Sequence, residues 1–369
     1  MNMKSNNSVL KFFASLPDHR KDRTKLHLAE DIIFISISAV LCGADTWDDM
    51  EDFGIMKYDW LKTVLQLPNG IPSHDTFNRF FSAMDPNAFE ACFLEWTRHI
   101  VNQTAGKVVS IDGKTIRGSR GAGNKSAIHM VSAWVDENQI TLGQIKVQDK
   151  TNEIVAIPQL LDALMIEGSI VTIDAMGCQV DIAKKIISKN ADYLLAVKGN
   201  QGDLLEDIED SFRMLIPADS SIDVDYGHGR VETRHCSIIN DFSLIEKANR
   251  WPNLKSIVRI DAERYHKNTM KTETETRYYI TSHNATAKEI GRQCRTHWGV
   301  ENGLHWVLDV AFLEDKNRKR AGNAAQNASI LNRIALNILK SDTKTKRSIK
   351  GKRLKAGWSN EYLFSLLEI

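Results

Sequence analysis

Three acidic residues stand in the contexts that metal-ion chemistry on phosphodiesters requires. Asp112 lies in Ser110-Ile111-Asp112-Gly113-Lys114, and Asp174 in Thr172-Ile173-Asp174-Ala175-Met176-Gly177. In both, a run rich in apolar and β-branched residues leads straight into an aspartate, and small residues follow. An unpaired carboxylate inside a sheet carries a heavy desolvation cost. At the C-terminal end of a strand it faces the crevice where open α/β sheets place ligands. Two such aspartates on neighbouring strands repel each other, and a hard cation such as Mg²⁺ removes that repulsion through carboxylate oxygens. Glu301 is the candidate third acid. Three carboxylates holding two ions roughly 3.5–4 Å apart are a recurring device for in-line attack on phosphodiesters. One ion lowers the pKa of the attacking water or 3′-hydroxyl, and the other stabilises the leaving oxygen. Singly, each strand-end Asp is more often a turn former, and a lone helical Glu more often a polar edge; the weight lies in the combination.

The elements that must position these acids are legible in outline. Gly291 to Arg320 reads as one helix with a charged exit. Val300, Leu304, Leu308 and Ala311 form its apolar stripe. His297, Glu301 and His305 follow one another along the stripe's edge at steps of about 40°. From Lys107 the pattern is β-rich: a strand ending at Asp112 and Gly113, then Ala127–Val135 and Ile140–Val147 around the turn Asp136-Glu137-Asn138. Glu153–Met165 is helical, Ser169–Asp174 a strand, Gln179–Ser188 a helix and Asp192–Val197 a strand. This order predicts a mixed sheet with helices on its faces. Helix Asp203–Leu215 follows. Ser221 to Ser282 then reads as an inserted β domain with three runs, VETRHCSII, LKSIVRID and TETRYYITS.

Residues 1–104 read as helical. Leu28–Cys42 is strongly apolar, and Ile32 to Gly43 is too short to span a bilayer, so it is a buried helix. Pro68-Asn69-Gly70 is a turn signal and Ser73 an N-cap for a helix carrying Asn78 and Arg79. Short helix, turn and second helix resemble a helix-turn-helix as much as an ordinary helical hairpin. Residues 344–355 hold seven Lys or Arg and no acid. Such a tail binds a DNA backbone with strong salt dependence, unless it is only a solvated end. Tyr362–Ile369 is apolar and docks on the fold or on a second subunit.

The net charge of +1 excludes a global electrostatic pull toward nucleic acid, so any such contact must be local. Five scattered cysteines without a C-x-x-C pair suggest neither disulfides nor a zinc knuckle. Reduced thiols and the lack of a signal peptide predict a cytoplasmic protein with no membrane association. Among rival sites, His297, Glu301 and His305 have zinc-ligand spacing but no partner from another element. Glu314 and Asp315 are weaker candidates for the third acid, and Asp309 reads as a structural partner. Candidate phosphate contacts beside the acids are Lys114, Arg117, Lys198, Asn200, His297 and Arg318. In the tail they are Lys346, Arg347, Lys350, Lys352 and Arg353. Trp298 and Trp306 read as packing residues, with base stacking as the alternative.

LPDHR at 16–20, SIDGKTIRGS at 110–119, TIDAMGCQ at 172–179, LAVKGNQ at 195–201, HGRVETR at 228–234 and HWGVENGLHWVLDVAFLEDKNR at 297–318 occur in one ordered set. That set resembles the DDE transposases of the ISAs1 group, the H-repeat-associated proteins, over nearly the whole chain. The resemblance implies an RNase H-like core, a metal-binding triad of Asp112, Asp174 and Glu301, and a β insertion before the Glu-bearing helix. The wider IS4-like pattern Y-x2-R-x3-E-x6-K falls here on Cys294, His297, Glu301 and Leu308, so only its Glu is kept. The DNA contacts of its Tyr, Arg and Lys therefore do not carry over.

The expected fold is thus α/β: an RNase H-like mixed sheet with helices, an N-terminal helical domain and a β-rich insertion. The expected division is 1–104 helical and DNA-binding, 105–200 core, 201–285 insertion, 286–341 core with the Glu-bearing helix, and 342–369 basic tail. The expected activity is Mg²⁺-dependent DNA strand cleavage and strand transfer at the ends of an insertion element, with Mn²⁺ able to substitute. DNA, both terminal inverted repeats and target, is the expected partner, synapsed by a homodimer that is nucleoid-associated when bound. The alternatives are a catalytically silent DNA-binding relic and an RNase H-like nuclease that does not join strands.

Overall fold

The computed structural model describes residues 9–20, 25–101, 104–121, 126–147, 153–227 and 229–368. His228 of the HGRVETR motif lies outside them. In chain order, six helices come first: α1 (Leu10–Phe13), α2 (Ala29–Leu41), α3 (Trp47–Met56), α4 (Tyr58–Leu61), α5 (His74–Ala83) and α6 (Pro86–Ile100). Then follow β1 (Val108–Thr115), β2 (His129–Val135), β3 (Ile140–Val147), α7 (Glu153–Ala163), β4 (Ile170–Ile173), α8 (Val180–Ser188), β5 (Asp192–Val197) and α9 (Gly202–Met214). Next are β6 (Asp219–Gly227), β7 (Arg230–Ile239), β8 (Ser256–His266) and β9 (Lys271–Thr281). The chain closes with α10 (Ala287–His297), α11 (Trp306–Ala311), α12 (Ala324–Ser341), α13 (Ile349–Trp358) and α14 (Asn360–Leu367).

One sheet runs through the molecule in the order β3-β2-β1-β4-β5-β9-β8-β7-β6. Its first five strands, with β1, β4 and β5 parallel and the β1-β2-β3 meander antiparallel, have the RNase H-like arrangement that the sequence predicts. The inserted strands do not form a sheet of their own. β9 pairs antiparallel with β5, Leu194 opposite Thr281 through Val197 opposite Tyr278, so the insertion prolongs the core sheet. The reason is the edge: without β9, β5 would expose a row of unpaired backbone groups. The insertion also holds a fourth strand, β6, that the sequence hid. Asp219–Gly227 carries three aspartates, and as an outer strand it has no wholly buried face to impose a clear apolar alternation.

The opposite edge, β3, is closed by buried polar side chains. Asn337 on α12 accepts from Thr141 N and donates to Thr141 O, both at 2.9 Å. Thr97 on α6 donates to Leu142 O at 2.7 Å, and Glu90 accepts from Gln144 N at 2.9 Å. Helix side chains thus satisfy the ladder groups that a neighbouring strand would have taken.

The N-terminal helices are not an isolated unit. A single apolar core joins Ile32–Leu41, Phe77–Phe81 and Phe89–Trp96 to Val300–Phe312, α12 and the last two helices. Residues 344–355 are correspondingly more than a solvated end. Lys352 donates to Leu339 O at 2.8 Å, while Arg353 donates to Val40 O at 2.9 Å, to Ala311 O and to the Asp45 carboxylate at 3.1 Å. Their charges are spent at helix C-termini inside the protein, which corrects the expectation that they contact DNA. Lys346, Arg347 and Lys350 remain exposed. Leu363, Leu366 and Leu367 are buried, so the apolar end docks on its own fold.

Arg333 on α12 is fully buried and bonds Glu314 at 2.9 Å and Ser329 Oγ at 2.6 Å. Removing one member of such a pair strands the other charge in the core. Arg333→Ala is expected to lose about 3–5 kcal/mol of stability. Urea unfolding measures this, and a loss under about 1 kcal/mol would contradict the burial of the pair.

Candidate metal centre at the sheet edge

β1 and β4 pair in parallel only as far as Ile111 opposite Ile173. β4 then stops and β1 continues to Thr115 against β2 alone. Asp112 is therefore not the last residue of its strand. It is the first residue of β1 beyond the end of β4, which is what opens its carboxyl to a crevice. Asp174 follows β4 directly and caps a single 3₁₀ turn, accepting from Met176 N at 3.1 Å and Gly177 N at 3.3 Å.

The Glu-bearing segment is not one regular helix. α10 ends at His297, and after Trp298 the chain resumes helically through a π turn, Glu301–His305, into α11. π turns widen a helix locally and recur at functional sites. Val300, Leu304 and Leu308 still face the core, as their spacing predicts. Gly299 packs against the Asp136 side chain of the β2–β3 hairpin, which a Cβ at this position would displace.

Asp112, Asp174 and Glu301 line one pocket of about 640 Å³, together with Lys198, His297 and Trp298. Burial raises the Asp112 pKa to about 7, against the Gly113 N–H and with the charges of Asp174, Glu301 and Glu153 adding to the rise. Asp174 is raised by burial, opposed by the Gly177 N–H, with Glu153 pushing up and Lys198 pulling down. The two histidines supply no charge. Burial lowers His297 to about 4, and its Nδ1 lies 2.9 Å from Thr172 Oγ1, which itself donates to Ser110. Burial, helped by Arg333 and Lys114, lowers His305 to about 3, and its Nδ1 lies 3.4 Å from Asp112. His297 is thus a neutral imidazole that braces helix against sheet at the pocket wall.

Lys114 projects from the same face of β1 as Asp112 but does not neutralise it. Its ammonium is buried against Asp309 at 2.7 Å, Asp315 at 3.0 Å and Glu314 at 3.7 Å. This corrects its assignment as a phosphate contact. It also accounts for Glu314 and Asp315, whose charges are taken by Lys114 and Arg333. Asn200 donates to Ala175 O at 2.6 Å and braces the Asp174 turn. Arg117, Lys198 and Arg318 are exposed around the pocket mouth or the helix exit. Sequence reasoning missed Arg277, which stacks 4.2 Å over the half-exposed Trp298 at the pocket wall. It also missed Glu153, which reads as an ordinary acidic helix start.

Residues 103–338 match the family described as "Transposase DDE domain", and residues 10–97 match "DDE_Tnp_1-associated". The chain belongs to the DDE transposase family. It is 42% identical to YncI of Escherichia coli O157:H7, covering 98% of this chain and 94% of that protein. It is 40% identical to the H repeat-associated YhhI of Escherichia coli K12, covering 97% of each. Both are named as candidate transposases. A shorter relative from the same strain, YbfQ, is named an inactive transposase and is 39% identical over 20% of this chain and 88% of its own length. A solved piggyBac transposase synaptic complex with hairpin DNA aligns at a TM-score of 0.42 and 13% identity over 95% of this chain and 76% of that one, too slight a likeness to carry an argument.

Among the described residues, no three His, Cys, Asp or Glu side chains converge closely enough to grip an ion. The donor set nevertheless fits a hard divalent cation: carboxylates crowded into one pocket, neutral imidazoles beside them and the nearby lysine engaged elsewhere. Without a cation, Asp112 opposes folding above its unfolded pKa. Its folded pKa near 7 exceeds an unfolded value near 4, so the folded state binds the extra proton between these limits, and its contribution falls as pH rises through that window. In EDTA, Asp112→Asn is expected to melt a few degrees above wild type at pH 8, the gap closing toward pH 4; equal melting at both pH values would refute the raised pKa of Asp112.

Proposed function

We propose that this DDE transposase cleaves DNA at the ends of an insertion element and transfers the strand, using divalent ions held by Asp112, Asp174 and Glu301. The observation that carries the reading is the meeting of these acids in one pocket, from within β1, from the end of β4 and from a π turn, far apart in sequence. Mg²⁺, with Mn²⁺ as a substitute, would neutralise the pocket's negative charge and acidify the attacking hydroxyl. The chain's own contribution is placement. The end of β4 and the 3₁₀ turn fix the two aspartates, and the Thr172–His297 contact ties the Glu-bearing segment to β4, the strand that leads into Asp174. Exposed Arg117, Lys198 and Arg318 would take DNA phosphates near the reacting bond. Lys346, Arg347 and Lys350 would hold flanking backbone. The element's terminal repeats and target DNA are the proposed partners, with two chains synapsing two ends in the cytoplasm. No helix among the described residues is long and apolar enough to cross a membrane. Placement in the ISAs1 group rests on the motif set alone.

A silent, DNA-binding relic is the second reading, and the relative named an inactive transposase gives it a specific precedent. Cleavage of a labelled duplex bearing the element's end separates the two. With Mg²⁺ the wild type is expected to cut at the boundary and join the strand to target. Asp174→Ala and Glu301→Ala are expected to bind the duplex but leave it intact. Wild-type binding without cutting supports the relic; cutting without joined product supports a simple nuclease. In the same binding assay, replacing Lys346, Arg347 and Lys350 by Ala should lower the slope of log affinity against log salt by about 2–3. An unchanged slope would remove those residues from the interface.

A further inference from the structure

Glu301 approaches the sheet edge from one side; a second glutamate approaches from the other. Alternate residues of β1 project to opposite faces. Ser110, Asp112 and Lys114 face α10 and α11, as the Ser110–Thr172–His297 and Lys114–Asp309 contacts show. Val109 and Ile111 pack with the apolar residues of α7 and α8. Gly113 belongs to that second face, and Glu153, the first residue of α7, lies directly over it. A Cβ on Gly113 would come 2.5 Å from His129 Nε2 and 2.9 Å from Glu153 Oε1. Gly113 therefore leaves the space that this pair fills, immediately beside Asp112.

The pair is anchored on the sheet. His129 opens β2 opposite Thr115, and its Nδ1 lies 2.9 Å from Thr115 Oγ1. Its Nε2 lies 2.5 Å from Glu153 Oε1 yet is a buried nitrogen with no hydrogen bond of good geometry. His129 is nine-tenths buried. This is a carboxylate pressed on an imidazole over Gly113, one residue from Asp112 and on the sheet face opposite Glu301. The electrostatics agree, since Glu153 is among the charges that raise both Asp112 and Asp174.

We propose that Glu153 is a fourth carboxylate of the divalent-ion site, presented by α7 across Gly113 and positioned by His129. The inference rests on the metal-dependent reading above. It gives the site acids from both faces of the sheet, with His129 as the positioning residue that turns Glu153 toward Asp112 and Asp174.

The test is Mn²⁺ binding to the full chain without DNA, read by electron spin resonance of free Mn²⁺, with thermal melting as a folding control. Glu153→Gln is expected to weaken Mn²⁺ affinity by about 10–100-fold, the range seen when a group supporting a metal site is lost. His129→Leu is expected to weaken it as well, and His129→Gln, which keeps a donor toward Glu153, to restore part of the loss. Glu153→Asp, charged but shorter, should fall between wild type and Glu153→Gln. Asp112→Asn is the control for the site itself. Mn²⁺ binding lost in Asp112→Asn but within twofold of wild type in Glu153→Gln overturns the role of Glu153 and leaves the proposed function standing. No Mn²⁺ binding by the wild type overturns both.

Discussion

Carboxylates gathered in one pocket at the end of a sheet repel one another, and a few backbone N–H groups and Lys198 relieve this only in part. The nearby cation on the same strand, Lys114, is held by Asp309, Glu314 and Asp315. The adjacent imidazoles of His297 and His305 are kept neutral by burial. The result is a pocket in which burial first, and the neighbouring carboxylates after it, raise the pKa of Asp112. A structure that leaves such a cost standing favours whatever cation enters.

The rest of the fold can be read as a frame for that crowding. One face of the sheet carries α7 and α8, and the other carries α10 and α11 with Glu301. The arrangement is stiff because α12 does two jobs. Its Asn337 closes the β3 edge while Ser329 donates to the Gln144 side chain, and its apolar side joins the N-terminal helices. Lys319 extends the same connection: it bonds Asp45 O at 2.6 Å and sits 4.5 Å over the Trp47 ring, with burial lowering its pKa to about 8. A segment that reads as a separate helical domain is thus continuous in packing with the helices that carry the third acid. The insertion is likewise continuous with the core sheet through β5 and β9, and Arg277 on β9 reaches the pocket wall.

The expectations that diverged from the structure share a cause. Lys114, Lys352 and Arg353 read as solvent-facing cations because sequence reports charge without its surroundings. Each finds acceptors within the fold: Lys352 at the end of the preceding helix, Lys114 and Arg353 on elements far along the chain, more than 190 residues away for the Lys114–Asp309 and Lys114–Asp315 pairs. β6 went unseen because an acidic outer strand lacks the alternation that a buried face imposes. Glu153 went unnoticed because an acid at a helix start has a sufficient local explanation in the helix dipole.

Sequence alone determined the α/β class and the meander and crossovers of the core, and it singled out the three acids as candidates. It could do so because those features are local: β-branched runs, turn residues, helical spacing and the change from apolar run to aspartate. Only the tertiary structure decided how the acids meet, since that depends on β4 ending where β1 continues and on a π turn at Glu301. It alone decided which cations are free, because ion pairing is settled by three-dimensional neighbours. It alone brought Glu153 over Gly113, because a helix and a strand separated by a long hairpin share an edge only once the sheet has formed.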